Sequence, residues 1–446
     1  MSELRFEPRV PLNIGDEYAQ WLVDLKYEDI PADVIHRAKR HILDTVACML
    51  AGRHTLTITD KLLDDMEPDC GPCTIIGTDK KTTMRGAAYL NGISAQVHDF
   101  NDGLNNCGMY GGTYHPGREV VPCALAAAEA LGCSGKELIT AVVVGFETSG
   151  RIRNTKYAKS ALVDGFAVAC ACAKLMGADA EQMKLAMSHG TNIAPIFNGG
   201  DDHYESNYTG WGHVASLGII AAQLGMKRTS APVWNDSQSG SLRYASRGLG
   251  QDWFLRDTYF KPWPSCRKTH GAIACALEYV HTHGIKAEQI DKVKVYQQHV
   301  GMYVNQPLND LQDFEYQRKR QFSIQYTAAC AFIDGTVDLR HFRGPIKPEI
   351  LEFSKKISVT PDNALDGHNE ISPNHAAMDL YLTDGTVRSI YVQYPLGSEP
   401  NAMSDEQLNA KLRHCAEGIL SPEAAEQLIG AIWALDDCEK VSCKTC

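Results

Sequence analysis

The feature that most constrains this chain is the helical spacing of its apolar residues. Within residues 34–50 apolar side chains recur every three or four positions, and Gly52 follows as a candidate helix stop. Residues 120–131 and 161–176 are similarly rich in apolar residues. Because helices of this kind bury their apolar faces against one another, the spacing predicts a mainly α protein.

Helix-capping signals divide these segments. Ser134 and Glu137 form the sequence pattern of a capping box, so they predict the start of a helix. Gly177 is expected to end the helix over residues 161–176, and Asp179 to cap the next one. The first half of the chain is therefore predicted to be helix after helix.

The pattern changes in the middle of the chain and returns at its end. Val293 and Val295 alternate with lysines, and Met378, Leu380 and Leu382 alternate before an Asp-Gly turn, which favours strands. Helical spacing resumes over residues 404–435. We predict a discontinuous all-helical domain, residues 1–256 and 396–446, with a smaller inserted α+β lid domain at 257–395.

Charge and composition exclude several classes of function. The net charge is -11, with 43 basic and 54 acidic residues, and no basic run is interleaved with aromatic residues, so we expect no nucleic-acid partner. The N-terminus has no apolar signal region and no stretch is long enough to span a bilayer, so we expect no membrane partner and a cytoplasmic protein. The 15 cysteines lie mostly in apolar segments and indicate no disulfide framework.

The first candidate site follows a predicted helix over residues 86–97. His98 and Asp99 come at its end, Asp102 lies nearby, and Tyr114 and His115 precede the next helix. An imidazole near a helix N-terminus is favoured in its neutral form and can act as a base. The alternative interpretation is that these polar residues only form turns and caps.

The second candidate site lies between residues 260 and 270. Four residues that can carry positive charge fall within one short, proline-restrained segment: Lys261, Arg267, Lys268 and His270. Such cations could bind a carboxylate or stabilise an enediolate. A solvated basic turn is the alternative.

Tyr326 is the third candidate, one turn into a predicted helix. Its hydroxyl could donate a proton or bind a substrate oxygen. Tyrosines in this position are more often packed in the core, with the hydroxyl satisfied locally.

Motifs for cofactors are not found in the sequence. It has no GxGxxG, phosphate loop, HExxH or GxSxG element, so we predict chemistry without a cofactor. Cys70 with Cys73 has the spacing of a redox pair, but the residues that follow favour a strand. Together with Cys443 and Cys446 the pair could hold zinc, although we predict no metal site.

Taken together, these segments resemble the MmgE/PrpD family over nearly the whole chain. The residues that carry the resemblance are His98-Asp99-Phe100, His115-Pro116, Phe260-Lys261-Pro262, 322–326 and 404–406. The resemblance implies a helical domain with an α+β lid, a homodimer, and action on a small carboxylate as a 2-methylcitrate dehydratase, cis-aconitate decarboxylase or iminodisuccinate epimerase does. It also implies acid-base roles for Asp99 and His115, with Lys261 and Tyr326 in the same site.

Two departures from the family pattern bear on the substrate. A family histidine is missing near Ala158, and a family lysine is replaced near Asn207, which we place among the substrate-binding residues, with Lys159 or His213 as possible substitutes. Fewer cationic partners would leave a tricarboxylate poorly paired, so a different substrate or reaction is expected.

Three functions remain open from the sequence. The leading hypothesis is a cofactor-independent lyase, a dehydratase or decarboxylase, that transfers a proton next to a carboxylate. The second is an isomerase or epimerase that uses the same proton abstraction. The third is a catalytically degraded relative that binds a carboxylate metabolite.

Overall fold

Helices make up most of the protein. The computed structural model describes residues 14–53, 55, 61–63, 69–104, 114–153, 160–193, 205–231, 245–308, 317–366 and 374–442. In chain order the helices are α1 (Ile14–Asp24), α2 (Ala32–Arg53), α3 (Met84–Gln96), α4 (Gly117–Leu131), α5 (Gly135–Arg153), α6 (Ser160–Leu175), α7 (Ala180–Ile193), α8 (Glu205–Met226), α9 (His270–His281), α10 (Gln317–Gln321), α11 (Ile324–Asp334), α12 (Pro348–Ser354), α13 (Asp405–Ala416) and α14 (Pro422–Trp433). The prediction of a mainly α protein is confirmed.

The strands form small sheets. They are β1 (Cys73–Thr74), β2 (Lys81–Thr82), β3 (Gly103–Leu104), β4 (Thr258–Tyr259), β5 (Ile290–Gln297), β6 (Ile357–Pro361), β7 (Ala376–Leu382) and β8 (Val387–Val392). The largest sheet has the order β6-β5-β7-β8, with β5 and β6 parallel and the other pairs antiparallel. The alternation predicted at Val293 and at Met378 is confirmed in β5 and β7.

Most predicted caps are present. Ser134 Oγ accepts the N–H of Glu137 at 3.3 Å, and the Glu137 carboxylate accepts the N–H of Ser134 at 2.7 Å, which completes the capping box. Asp179 accepts the N–H of Gln182 at 2.9 Å. Gly177, with a φ of 73°, lies just beyond α6 in the left-handed conformation expected of a helix stop.

The prediction that Gly52 ends its helix is wrong. Helix α2 continues to Arg53, so Gly52 lies inside it. A β-carbon at this position would come within 2.0 Å of the carbonyl oxygen of Ser94 in α3. Gly52 is therefore needed for close approach of two helix backbones.

The buried apolar residues form two main cores. The larger takes most of its members from α1 to Leu255 and again from Met403 to Val441. The smaller takes its members from Trp263 to Leu380. This division is what a discontinuous helical domain with an insertion would produce, although the domain boundaries and the lid stay predictions. Over the described residues, no helix has both the length and the apolarity needed to cross a bilayer.

One short ladder joins two candidate segments. Strand β3 pairs antiparallel with β4, with Gly103 opposite Tyr259 and Leu104 opposite Thr258. A β-carbon on Gly103 would lie 2.3 Å from the ring of Tyr259, so a larger residue there would displace that ring. The ladder brings the segment that follows Asp99 alongside the segment that precedes Lys261.

Candidate active site

Asp99 lies in a tight turn at the end of α3. Its N–H donates to the carbonyl of Gln96 at 3.0 Å, and its φ of 47° is in the left-handed region. A residue with a side chain adopts this conformation only when its surroundings hold it there, and such residues cluster at functional sites. Asp99 is buried, with only 4% of its surface exposed.

Lys261 is buried against Asp99. Its Nζ donates to the Asp99 carbonyl oxygen at 2.6 Å and lies 3.2 Å from the carboxylate oxygen Oδ1. Burial lowers the pKa of Lys261 below its ordinary value, while the carboxylate of Asp99 acts in the opposite direction. The two candidate segments of the sequence therefore meet at this pair.

His115 precedes α4, as the sequence predicts, and is partly buried. Its Nδ1 contacts the backbone carbonyl oxygen of Asp102. A carbonyl can only accept, so Nδ1 carries the proton and the lone pair of the neutral ring is on Nε2. Nε2 is thus the basic nitrogen of this histidine.

Asp102 is fully buried and acts inside the protein. Its carboxylate contacts Nδ1 of His41 and accepts the N–H of Gly117 at 3.2 Å. His41 Nε2 lies 2.8 Å from the Thr258 hydroxyl, which itself donates to Leu255. Through these contacts Asp102 shapes the turn that carries His115, and its substrate-binding role stays a prediction.

Arg267 and His115 both lie against Tyr259. The guanidinium carbon of Arg267 is 3.2 Å from the centroid of the Tyr259 ring, a cation-π contact. The His115 ring approaches the same tyrosine edge-on, at 6.3 Å between centroids. Burial raises the pKa of Tyr259, and the charge of Arg267 partly opposes this. Tyr259 therefore lies between His115 and Arg267.

Cys266 and Tyr303 form another contact in this region. The Tyr303 hydroxyl lies 3.1 Å from Cys266 Sγ, although 49% of the whole tyrosine residue is exposed. Burial of the hydroxyl raises the pKa of Tyr303, and the charges of Cys266 and Asp99 add to the effect. The phenol accordingly stays protonated and can donate a hydrogen bond.

Lys268 and His270 are also buried in the 260–270 segment. Burial, with help from Arg267, lowers the pKa of Lys268 to about 8. Burial and the charges of Lys261 and Arg267 lower the pKa of His270, so this histidine is neutral near pH 7. The alternative interpretation of the segment as a solvated basic turn does not fit its burial.

The structure does not bring Tyr326 to the Asp99 group. Its hydroxyl donates to the carbonyl oxygen of His341 at 2.5 Å, and its ring packs edge-on against Phe342. It faces a separate cavity of about 350 Å³ that is also lined by Asp334 and Lys347. These contacts match the core interpretation of Tyr326.

The remaining predicted residues are Tyr114, which lies in the core, and Asn207, whose side chain is not among the described parts of the structure. Tyr114 is buried in the larger core, and its backbone bridges to Leu104. Asn207 lies in α8, but its side chain is outside the described part of the structure, as are Ala158 and Lys159. The substrate-binding role of Asn207, with Lys159 as a possible substitute, stays a prediction.

The two cysteine pairs also differ in what the structure describes. Cys73 begins β1, as the sequence favours, and its thiol donates to the carbonyl of Ala126 at 3.2 Å. Cys70 is exposed, and Cys443 and Cys446 are outside the described residues. Among the residues that are described, no three His, Cys, Asp or Glu side chains are grouped closely enough to bind a metal ion.

Sequence reasoning missed several polar residues around the pair. His41 and Asp44 lie among the apolar residues of α2, and Lys411 lies next to Leu412 in α13, and all three are buried. Charged residues are rarely buried unless paired, so a charge within an apolar helical pattern was an available signal. Tyr303 follows no recognisable motif, and no local signal in the sequence pointed to it.

The fold and the site together define a mainly α protein in which buried cations and carboxylates surround a candidate acid-base centre. Comparison with protein families gives two matches: the MmgE/PrpD N-terminal domain over residues 16–247 and the MmgE/PrpD C-terminal domain over residues 263–437. The chain therefore belongs to the MmgE/PrpD family, and the resemblance noted from the sequence is confirmed.

The similar proteins are named as cis-aconitate decarboxylases or as a cis-aconitate decarboxylase-like protein. The chain is 25% identical to the cis-aconitate decarboxylase-like protein oryM of Aspergillus oryzae, over 96% of each chain. It is 26% identical to the cis-aconitate decarboxylase of Homo sapiens and 25% identical to that of Mus musculus. These matches cover 97% of this chain and 94% and 93% of the two relatives.

Proposed function

We propose that the protein is a cofactor-independent lyase, a dehydratase or decarboxylase, that acts on a small di- or tricarboxylate by proton transfer next to a carboxylate. The observation that carries the proposal is the buried contact between Lys261 and Asp99, with Nζ at 3.2 Å from Oδ1. Buried charges of this kind are costly and are concentrated at functional sites.

The charges nearby favour an anionic substrate. Lys261, Arg267 and Lys268 are each less than 5% exposed, and Asp99 is the carboxylate in direct contact with one of them. Cations in a region of low dielectric attract carboxylates more strongly than they would in water. We assign Arg267 and Lys268 to binding the substrate carboxylates.

Proton transfer is assigned to His115. Its Nε2 carries the lone pair and removes a proton from the carbon next to a substrate carboxylate, and the C–H electron pair moves into that carboxylate as an enediolate. The ammonium group of Lys261 stabilises the new negative charge. Asp99 positions Lys261 through the contacts described above.

The two candidate reactions differ in the bond of the substrate that breaks. In a dehydration, the electron pair of the enediolate forms a new carbon-carbon double bond as the C–O bond breaks. The departing hydroxide takes a proton from the Tyr303 hydroxyl and leaves as water. In a decarboxylation no C–H bond of the substrate breaks. The C–C bond to one carboxylate breaks, carbon dioxide leaves, and the electron pair stays on the substrate as a carbanion. His115, protonated beforehand by solvent, gives its proton to that carbanion. Tyr303 replaces Tyr326 as the proposed hydroxyl donor because it lies in this group of residues.

The relatives suggest which compound to test first. Since the similar proteins are cis-aconitate decarboxylases, cis-aconitate leads the panel. The sequence differences near Ala158 and Asn207 favour a substrate with fewer carboxylates or a different substituent, so citrate-like and amino-dicarboxylate compounds follow. A cytoplasmic location, a homodimer and activity without a cofactor stay part of the proposal.

The proposal is tested by incubating the purified protein with each compound in deuterated buffer and following the reaction by NMR. A decarboxylase gives a product with one deuterium at the carbon that is protonated. A dehydratase gives an unsaturated product without deuterium, and reversible proton removal places deuterium in the remaining substrate. Exchange or inversion without elimination would instead indicate the epimerase. Thermal stabilisation by compounds that neither exchange nor react would indicate a binding protein and contradict the proposal.

A further inference from the structure

Lys411 links the C-terminal helices to the candidate site. It lies in α13, between apolar residues that face the larger core, and its side chain is 3% exposed. Its Nζ donates to Asp44 Oδ1 at 2.7 Å, to the Phe100 carbonyl at 2.6 Å and to the Lys261 carbonyl at 3.1 Å. An ammonium group has three N–H donors, so these contacts use all of them.

Asp44 extends this arrangement to a third backbone position. While its Oδ1 binds Lys411, its Oδ2 accepts the N–H of Asp102 at 3.1 Å. The Lys411–Asp44 pair therefore holds the backbone at residues 100, 102 and 261. Residues 100 and 102 follow Asp99 closely, and position 261 is the backbone of Lys261 itself.

The backbone around Asp99 needs such support. A residue with a side chain held at a φ of 47° is strained, and it persists only when neighbouring contacts fix it. Phe100 directly follows Asp99 in the chain, and the Lys411 ammonium lies 3.6 Å from the centroid of the Phe100 ring. The same cation thus contacts the Phe100 peptide and its side chain.

We propose that Lys411 is a positioning residue for the proposed lyase reaction: it fixes the segments of Asp99 and Lys261 relative to each other and supplies a positive charge behind Lys261. The inference rests on the proposed function for its kinetic readouts. It means that the C-terminal helical segment completes the active site.

The charge of Lys411 gives the proposal a distinctive readout. The groups that act on the Lys261 ammonium are Asp99 and Cys266, which raise its pKa, and Lys411, which lowers it in addition to burial. Lys411 also lowers the pKa of the nearby His270. Removing the positive charge of Lys411 therefore raises the pKa of Lys261 and moves the alkaline limb of the kcat profile to higher pH, whereas Lys268, assigned to substrate binding, acts on the kcat/KM profile.

The test compares Lys411→Met with Arg413→Met in the full chain. Arg413 lies on the same helix and forms exposed ion pairs with Glu406 and Glu426, so its variant removes a cation of α13 without touching the site. For Lys411→Met we expect kcat to fall by about 10²-fold, as misplacement of reacting groups does, with a smaller change in KM. Its alkaline limb moves to higher pH, and Arg413→Met keeps the wild-type profile.

Several results would overturn the proposal. These are a kcat of Lys411→Met within threefold of wild type, or a lower kcat with an unmoved alkaline limb, which a purely structural role would produce. If Lys411→Met does not fold because it leaves Asp44 unpaired, Lys411→Gln removes the positive charge, keeps an N–H donor for Asp44 and is judged by the same criteria. Failure of Lys411→Gln to fold would also assign Lys411 a structural role only.

A second measurement separates this inference from the proposed function. NMR of protein labelled with ¹³C at lysine Cε follows the titration of Lys261 directly, with Lys261→Met used to assign the signal. If the wild type turns over no compound, the lyase proposal fails, and the titration still tests Lys411. A Lys261 pKa that is unchanged in the folded Lys411→Met variant, or in Lys411→Gln if Lys411→Met does not fold, overturns the inference.

Discussion

Lys261 holds both the backbone and the side chain of Asp99, with its Nζ at 2.6 Å from the Asp99 carbonyl oxygen and at 3.2 Å from Oδ1. The two residues are 162 positions apart in the chain. Their contact depends on the β3–β4 ladder, which aligns the two segments. One buried cation therefore both stabilises a strained turn and occupies the position proposed for anion stabilisation.

Replacing Lys261 should remove activity more than stability. Lys261→Met keeps the length of the side chain but cannot stabilise an enediolate, so we expect kcat to fall by about 10²–10³-fold. Lys355→Met is the matched control, because Lys355 forms an exposed ion pair with Glu352. Steady-state kinetics on the substrate found by NMR make the comparison. Activity of Lys261→Met within a few fold of the control would show that the lysine has no catalytic role.

The two tyrosines should respond differently to loss of the hydroxyl. Tyr303→Phe removes the proposed proton donor beside Cys266, and we expect a decrease in kcat of about 10²-fold. Tyr326→Phe removes a hydrogen bond to the His341 carbonyl and should lower stability by about 1 kcal/mol with little effect on kcat. Steady-state kinetics measure kcat of both variants, and urea unfolding measures their free energy of unfolding. A larger kinetic effect at Tyr326 would return the catalytic role to the tyrosine that the sequence predicts.

Glu147 should make folding stability depend on pH. Burial raises its pKa from 4.5 to about 7 in the folded protein. Because the folded protein holds the Glu147 proton more tightly than the unfolded chain, this group stabilises the fold fully below about pH 4.5 and no longer does so above about pH 7. Between these two pH values the free energy of unfolding falls by roughly 1.4 kcal/mol for each pH unit. Glu147→Gln should therefore lose less stability than wild type between pH 5 and pH 8. The check is urea unfolding at both pH values, with the exposed Glu352→Gln as control; equal losses in all three proteins would refute the assignment.

The close approach of α2 and α3 should make Gly52 intolerant of a side chain. Gly52→Ala places a methyl group 2.0 Å from the Ser94 carbonyl, and we expect a loss of about 1–3 kcal/mol or more from overpacking. Gly430 is also helical but has open space around its Cβ position, so Gly430→Ala should gain about 0.5–1 kcal/mol. Thermal unfolding of the two variants distinguishes packing from helix propensity. Equal shifts of the same sign would contradict the proposed packing.

The sequence predicts helices and strands well here because apolar spacing is a local property. The capping box at Ser134 and the alternation at Val293 follow from neighbouring residues alone. Gly52 shows the limit of this approach, since a glycine near a helix end is usually a stop signal. Its actual role depends on Ser94, which is 42 positions away in the chain, and spacing cannot reveal that contact.

The sequence predicted only those parts of the site that local motifs reveal. Asp99, His115 and Lys261 lie in distinctive local motifs, and the structure brings their segments together. Asp102 and Tyr303 depend on partners from other parts of the chain: His41 in α2 and Cys266 in the 260–270 segment. Lys411 could have been noticed as a charge within an apolar pattern, but its three acceptors are set by tertiary structure.

The central claim is that His115 Nε2 moves a proton next to a substrate carboxylate. The control residue is His98, which is buried and contacts the Thr55 hydroxyl at 2.9 Å. Burial lowers the pKa of His98 to about 3. The variant His115→Asn can still donate to the Asp102 carbonyl but has no basic nitrogen, whereas His98→Asn removes a structural histidine.

The most direct measurement is the rate at which each variant incorporates deuterium from solvent into the substrate or product, followed by NMR. We predict that His115→Asn lowers this rate by about 10²–10⁴-fold while folded His98→Asn stays within tenfold of wild type. Deuterium incorporation by His115→Asn at the wild-type rate would contradict the account.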